Sequence, residues 1–235
     1  MNLPIEILFE DEHLLAVNKP AGILTIQDGY DAAKPFLSHL LSEHFGRLWV
    51  VHRLDRDTSG VLLFARNAQV HRSLSLQFER RQVQKIYHLI TYGHLAQEEI
   101  EVTHPLRVDA DRRHRTVVDP FRGKPACTIF RILKRLENDF LLLEAQPLSG
   151  YTHQIRAHLS ALGLQILGDK LYKPHPVPPN RPIYPLAPDS PATQRVALHA
   201  FALSFRHPQS PRKRITLMAP YPSDFTSLLE ILIPA

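Results

Sequence analysis

Short apolar runs separated by charged or turn-forming residues recur along the chain, and strand signals outnumber helical ones. Ile5–Phe9 and His13–Asn18, parted by the charged Glu10–Glu12, predict a hairpin whose second strand ends at Lys19-Pro20-Ala21-Gly22. Ser38–Phe45 has helical character, and Val61–Ala65 has the unbroken apolar composition of a short buried strand. From Ala68 to Arg80 the apolar residues Val70, Leu74 and Phe78 recur every fourth position, which puts them on one face of a helix. Gln84–Tyr92 returns to a period of two: Ile86, His88 and Ile90 share one face, and Lys85, Tyr87 and Leu89 share the other.

Ala126–Leu136 and Phe140–Gln146 predict a second hairpin around Glu137-Asn138-Asp139. The helix that follows is expected to be capped by Thr152, to bury Ile155, Leu159 and Leu162, and to stop at Gly163 in a left-handed conformation. Val196–Phe205 and Ile215–Met218 read as late strands, and Ser223–Leu232 as a terminal helix with Asp224 near its positive end. Strands joined by hairpins, with helices inserted, predict an α+β fold: a largely antiparallel, mixed sheet with flanking helices. Residues 1–235 are read as a single domain, within which the proline-rich Lys173–Pro191 forms an extended surface loop.

Composition narrows the class. A hydrophobic fraction of 44% with 22% charged residues excludes a disordered chain, and no apolar run approaches the ~18 residues of a membrane span. The single cysteine, Cys127, permits no internal disulfide and no cysteine-built metal site, which suits a reducing cytoplasm. No basic stretch followed by an apolar core opens the sequence, so a secretory signal is not expected. Charge is uneven: residues 1–45 carry two Lys or Arg against seven Asp or Glu, whereas residues 46–235 carry a net +10. That imbalance points to a polyanionic partner, with nucleic acid the first candidate.

Two polar clusters have the composition of a reactive site. Val51–Gly60, VHRLDRDTSG, is a loop pinned between apolar segments, where a rigid scaffold presents functional groups. Asp55 lies between Arg53 and Arg56, whose charge favours a carboxylate acting as nucleophile or base. Ser149–Arg156, SGYTHQIR, opens the Thr152 helix, and Arg156 falls beside its buried face, where it can reach into a cleft and pair with a carboxylate. Either cluster, taken alone, also fits plain turn capping or a surface arginine with a buried stem. Other chemistries fail on spacing. Ser59, His52 and Asp55 lack the G-x-S-x-G elbow of a hydrolase. His153 and His158 lie about 140° apart on a helix, unlike paired zinc ligands. Gly163–Lys170 resembles a phosphate loop, except that Asp169 stands where lysine is required.

Taken together, the segments resemble the RluA-type family of pseudouridine synthases. The resemblance rests on VNKPAG at Val17–Gly22, HRLDRDTSGVLLFA at His52–Ala65, KIYHLI at Lys85–Ile90, SGYTHQIRAHLSALGLQILGDKLY at Ser149–Tyr172 and LHAFALSFRHP at Leu198–Pro208. It implies conversion of uridine in transfer or ribosomal RNA to pseudouridine, without cofactor or metal. It also implies Asp55 as the catalytic aspartate, Tyr87 as the ring that packs on the target uracil, and Arg156 as the partner of Asp55. Arg53 corresponds to the arginine that enters the RNA as the uridine swings out. Arg56, Arg72, Arg80, Arg81 and Lys85 are candidate RNA contacts beside that site. Tyr151 and Leu164-Gln165 depart from the family pattern, and no small RNA-binding S4 module is expected ahead of the first strand. Two other classes compete: a catalytically silent RNA-binding or RNA-chaperone protein, and a glycoside hydrolase, which requires a second carboxylate near Asp55.

Overall fold

The computed structural model describes residues 5–173 and 194–233. In chain order its elements are β1 (Glu6–Glu10), β2 (Leu14–Lys19), α1 (Leu37–Phe45), β3 (Trp49–Val50), β4 (Ser59–Ala65), α2 (Ala68–Glu79) and β5 (Gln84–Tyr92). There follow β6 (Glu99–Val102), β7 (Leu106–Arg107), β8 (Val117–Val118), β9 (Thr128–Arg135), β10 (Phe140–Pro147), α3 (Gln154–Ala161), β11 (Gln165–Ile166), β12 (Leu198–His207), β13 (Ser210–Met218) and α4 (Ser223–Leu232). The described residues form two compact units, one within residues 5–85 and 199–221, the other within residues 86–173, 194–198 and 222–233. Mixed strand pairing with four helices among the described residues is the α+β class that the hydrophobic pattern predicts.

In the first unit β4 is the central strand. β2 runs antiparallel along one edge from Leu14 opposite Ala65 to Lys19 opposite Gly60. At the other edge β3 pairs antiparallel at Phe64 and Ala65, and β12 pairs parallel at Ser59 and Gly60. All seven residues of β4 are buried, as a strand covered on both faces requires. α2 lays Val70 and Leu74 on Leu14, Ala16, Val61 and Leu63, with Leu203, Phe205, Ile215 and Leu217 completing that core. Asn67 starts α2 by accepting the Val70 amide, 2.9 Å, which meets one of the helix's unpaired donors. Gly60 sits with φ +115°, and a Cβ there would lie 2.2 Å from the Ala200 carbonyl oxygen. Only glycine allows β4 and β12 to approach so closely.

In the second unit β5, β10, β9 and β6 form an antiparallel run, with β11 pairing Thr91 and Tyr92 on the far edge of β5. Asn138 and Asp139 turn the β9–β10 hairpin in left-handed conformations, to which these residue types are suited. α3 differs from expectation at its start. Thr152 does not cap it; His153, at φ 56°, occupies the N-cap, and its side chain makes no capping bond to the helix. The Gln154 carboxamide organises this entry instead, accepting from Ser149 Oγ at 2.8 Å and the Tyr151 amide at 3.2 Å. A side chain inside the first turn thus supplies the order that sequence reasoning assigned to the threonine before it. The helix ends as expected, with Gly163 at φ 79° and the Leu164 amide donating to the Leu159 carbonyl. The proline-rich loop, from residue 174 onward, lies outside the described residues.

Candidate active site

The Asp55 loop joins β3 to β4 and is bolted down at several points within the first unit. Lys19, fully buried at the end of an apolar strand, donates to the carbonyls of Pro20 (2.9 Å), Arg56 (3.0 Å) and Thr58 (2.9 Å). An ammonium carries three donors, and here three carbonyls receive them. Thr25 Oγ1 both accepts from the Leu54 amide and donates to its carbonyl, at 3.2 and 3.1 Å. Gly22 accepts from Arg56 Nε, and its own amide donates to the Arg56 carbonyl. Asp55 therefore hangs between two clamped neighbours, with its carbonyl closing a turn to the Thr58 amide at 3.2 Å. VNKPAG and the loop that follows β3 form one structural device.

Two histidines hold the arms of the loop. His52 Nε2 accepts from the Leu63 amide at 3.0 Å, while the ring stacks on Phe78 with centroids 4.8 Å apart. Accepting that bond places the ring's proton on Nδ1. Burial, together with the positive charge of Lys85, pushes its pKa down to about 3, so the ring is neutral at ordinary pH. His199 is wholly buried; its Nδ1 lies 2.9 Å from Ser59 Oγ and its Nε2 3.1 Å from the Ala219 carbonyl. Because a carbonyl only accepts, Nε2 donates to it and Ser59 donates to Nδ1. Ser59 and His52 have different partners, so the residue types of a hydrolase triad do not assemble.

The remaining predicted contacts of this unit differ in setting. Arg53, Arg56, Arg72, Arg80 and Arg81 are exposed. Lys85 is partly buried at the start of β5, and desolvation, with the nearby charge of Arg81, pushes its pKa down to about 8.

Tyr87 and Arg156 belong to the second unit. Tyr87 lies on β5 opposite Ala145, where the strand passes from exposed Gln84 to its fully buried half. Arg156 projects from α3 with its side chain 11% exposed and is gripped by Asp169: Nε to Oδ2 at 2.7 Å, Nη2 to Oδ1 at 2.8 Å. Its guanidinium carbon stands 4.8 Å above the Tyr172 ring centroid. Asp169 Oδ1 also accepts the Leu171 and Tyr172 amides, each at 2.9 Å. The Tyr172 hydroxyl accepts the Thr116 amide, and burial raises its pKa to about 12. Asp169 was the residue that spoiled the phosphate-loop pattern in the sequence; its use is to fix an arginine in two-pronged geometry. His153 and His158 point to Tyr172 and to Thr128 with the His104 carbonyl, respectively, and no group of three or more metal-ligating side chains occurs among the described residues.

The family model described as RNA pseudouridylate synthase matches residues 13–161, a stretch that contains the clamped loop, Tyr87 and Arg156. The chain belongs to this family. Family membership makes it an isomerase that acts on RNA. It is 36% identical over 204 residues to the dual-specificity RNA pseudouridine synthase RluA of Pasteurella multocida, covering 87% of this chain and 88% of that one. It is 35% identical over 242 residues to the ribosomal large subunit pseudouridine synthase D of Zymomonas mobilis, covering 99% and 74%. Among solved structures, human RNA pseudouridylate synthase domain containing 1 superposes with a TM-score of 0.75 at 26% identity, covering 98% of this chain and 89% of that one. No described helix is long and apolar enough to cross a membrane.

Lys19, Thr25, His199 and Asp169 are the functional supports that residue-type reasoning missed. A lysine closing the apolar run LLAVNK carried the one available signal for the first of them.

Proposed function

We propose that this pseudouridine synthase uses Asp55 as its catalytic carboxylate on uridines of transfer RNA, ribosomal RNA or both, acting in the cytoplasm. The N1–C1′ bond breaks, the uracil turns while bound, and C5 bonds to C1′; C5 loses a proton and N1 gains one, so the reaction balances without an external reagent. Asp55 attacks C1′ or removes a ribose proton. Arg156 is its partner, already oriented by Asp169 and Tyr172. Tyr87 offers a flat face on which a flipped base gains ~1–3 kcal/mol by stacking, and a phenol for the C5 proton. Arg53 fills the gap left by the extruded nucleotide, which costs a few kcal/mol to flip. Arg56, Arg72, Arg80, Arg81 and Lys85 contact phosphates.

The observation that supports this reading most is the grip of Lys19 on the carbonyls of Arg56 and Thr58. Buried charge spent on holding a surface loop suits a carboxylate that must be positioned rather than merely solvated. The relatives named for dual-specificity and large-subunit activities support both RNA classes as substrates. Purified Asp55→Ala should release no tritium from RNA labelled at uridine C5 while binding that RNA as the parent does. Undiminished release would remove Asp55 from the mechanism, and lost binding would make it an RNA contact instead.

A further inference from the structure

Several arginines of this molecule are answered by carboxylates: Arg66 by Glu10, Arg107 by Asp119, Arg115 by Asp111, Arg131 by Glu99, Arg135 by Glu98, Arg156 by Asp169 and Arg195 by Asp224. Arg72, Arg80 and Arg206 form no ion pair among the described residues, yet all three line one groove of about 390 Å³ in the first unit, between α2 and the end of β12. No carboxylate lines it. Gln69 and Gln82 add neutral donors, and Leu76, 37% exposed, adds an apolar strip.

The groove is built rather than incidental. Gln69, Arg72, Leu76 and Arg80 follow the three- and four-residue spacing of one helical face. Arg72 and Arg80 are two turns apart, about 12 Å along the axis. Opposite them, the buried Gln77 carboxamide donates to the Arg206 carbonyl and accepts its amide, both at 2.9 Å. That pair fixes the Arg206 backbone to α2 and leaves its side chain exposed. His207 ties the same corner to Asp11 through Nε2 at 3.1 Å, and Asp11 also accepts the His13 and Leu14 amides. Asp11 is thereby occupied.

Strand geometry separates Arg206 from the start of β4, where the Asp55 loop ends. β12 meets that loop at His199, the partner of Ser59, and reaches the groove seven residues later at Arg206. At 3.3 Å per residue Arg206 stands about 23 Å along the strand from the His199–Ser59 contact, too far for one nucleotide to touch both. We propose that the groove is a second RNA site, which takes the sugar-phosphate backbone of a helical segment flanking the modified uridine. It rests on the reading of this protein as an RNA-modifying enzyme and adds a stem-binding surface to it. Guanidinium groups meet phosphate oxygens and Leu76 meets ribose, without reading sequence.

Two RNA hairpins with the same uridine-containing loop test this, one on a long stem and one on a stem too short to span the separation. The probe is binding to the full chain, measured against salt concentration. For the long hairpin, the Arg72→Ala/Arg206→Ala double variant should bind about tenfold more weakly or worse. Its log–log salt slope should be lower by about 1.5, since each lost phosphate contact removes roughly 0.7–0.9. Arg206→Lys alone should keep the parental slope. The short hairpin should bind the parent and the Arg206→Ala single variant alike, because only the longer stem reaches that arginine. An unchanged slope on the long hairpin, or an equal loss on both hairpins, overturns the proposal. Tritium release by the parent protein reads the catalytic assignment separately, so a failed groove and a failed reaction give different results.

Discussion

At the residue scale, burial sets the chemistry. His52 is read from sequence as one polar residue among many in VHRLDRDTSG, but its ring is neutral and wedged between Leu63 and Phe78. Its folded pKa of about 3 lies below the ordinary 6.5. Between those values the unfolded chain binds the extra proton, so this residue's contribution to stability is intact above pH 6.5 and declines as pH falls toward 3. His52→Gln, which keeps an acceptor for the Leu63 amide and cannot titrate, should flatten the acid limb of a denaturant-derived stability curve by up to about 1.4 kcal/mol per pH unit. An unaltered limb would mean the ring titrates normally. Tyr87 separates stacking from proton transfer. Tyr87→Phe should hold RNA with parental affinity but turn it over at least about 100-fold more slowly, the usual scale of acid–base assistance; a parental rate in single-turnover kinetics would leave Tyr87 only a stacking role. Asp55, Tyr87 and Arg156 are proposed from the resemblance of ordered motifs rather than from residue types alone. Lys19 and Asp169 were not legible, because a hydrogen bond to a distant carbonyl or guanidinium leaves no local periodicity.

At the scale of elements, the hydrophobic pattern predicted the strands and helices with buried faces. β5 and α4 have the bounds that their periods predict, and α2 is within one residue. The shortest elements escaped: β7, β8 and β11, two residues each, are too short to show a period and are held by pairing, and half-exposed β6 went unread. The cap of α3 was misassigned because Gln154 acts through tertiary bonds that local preference cannot express. Two substitutions test how elements are joined. Gly60→Ala drives a methyl into the Ala200 carbonyl at a left-handed position, and should cost about 3 kcal/mol or more in chemical denaturation; a loss under about 1 kcal/mol would show that β4 and β12 can part. Asp169→Asn leaves the Arg156 guanidinium buried beside a neutral amide and should cost about 3 kcal/mol. It should also lower turnover more than RNA affinity, since its effect passes through Arg156; equal losses in both would reduce Asp169 to a structural role.

Across the whole molecule, the net positive charge read from sequence resolves into two populations. Arginines in carboxylate pairs hold loops and strands together, whereas Arg72, Arg80 and Arg206 form no ion pair among the described residues. Net charge counts both alike, which is why sequence indicated a polyanion but not its place. The chain's two compact units each hold part of the proposed machinery: Asp55 and Lys85 in one, Tyr87 and Arg156 in the other. The most direct test of the account is nucleotide-resolution mapping of pseudouridine in total RNA from cells lacking this protein, supplied with the parental chain or with Asp55→Ala. The account predicts transfer or ribosomal RNA sites that return with the parent and stay uridine with Asp55→Ala at equal protein level. Sites restored by Asp55→Ala, or no site dependent on the parent, would contradict it.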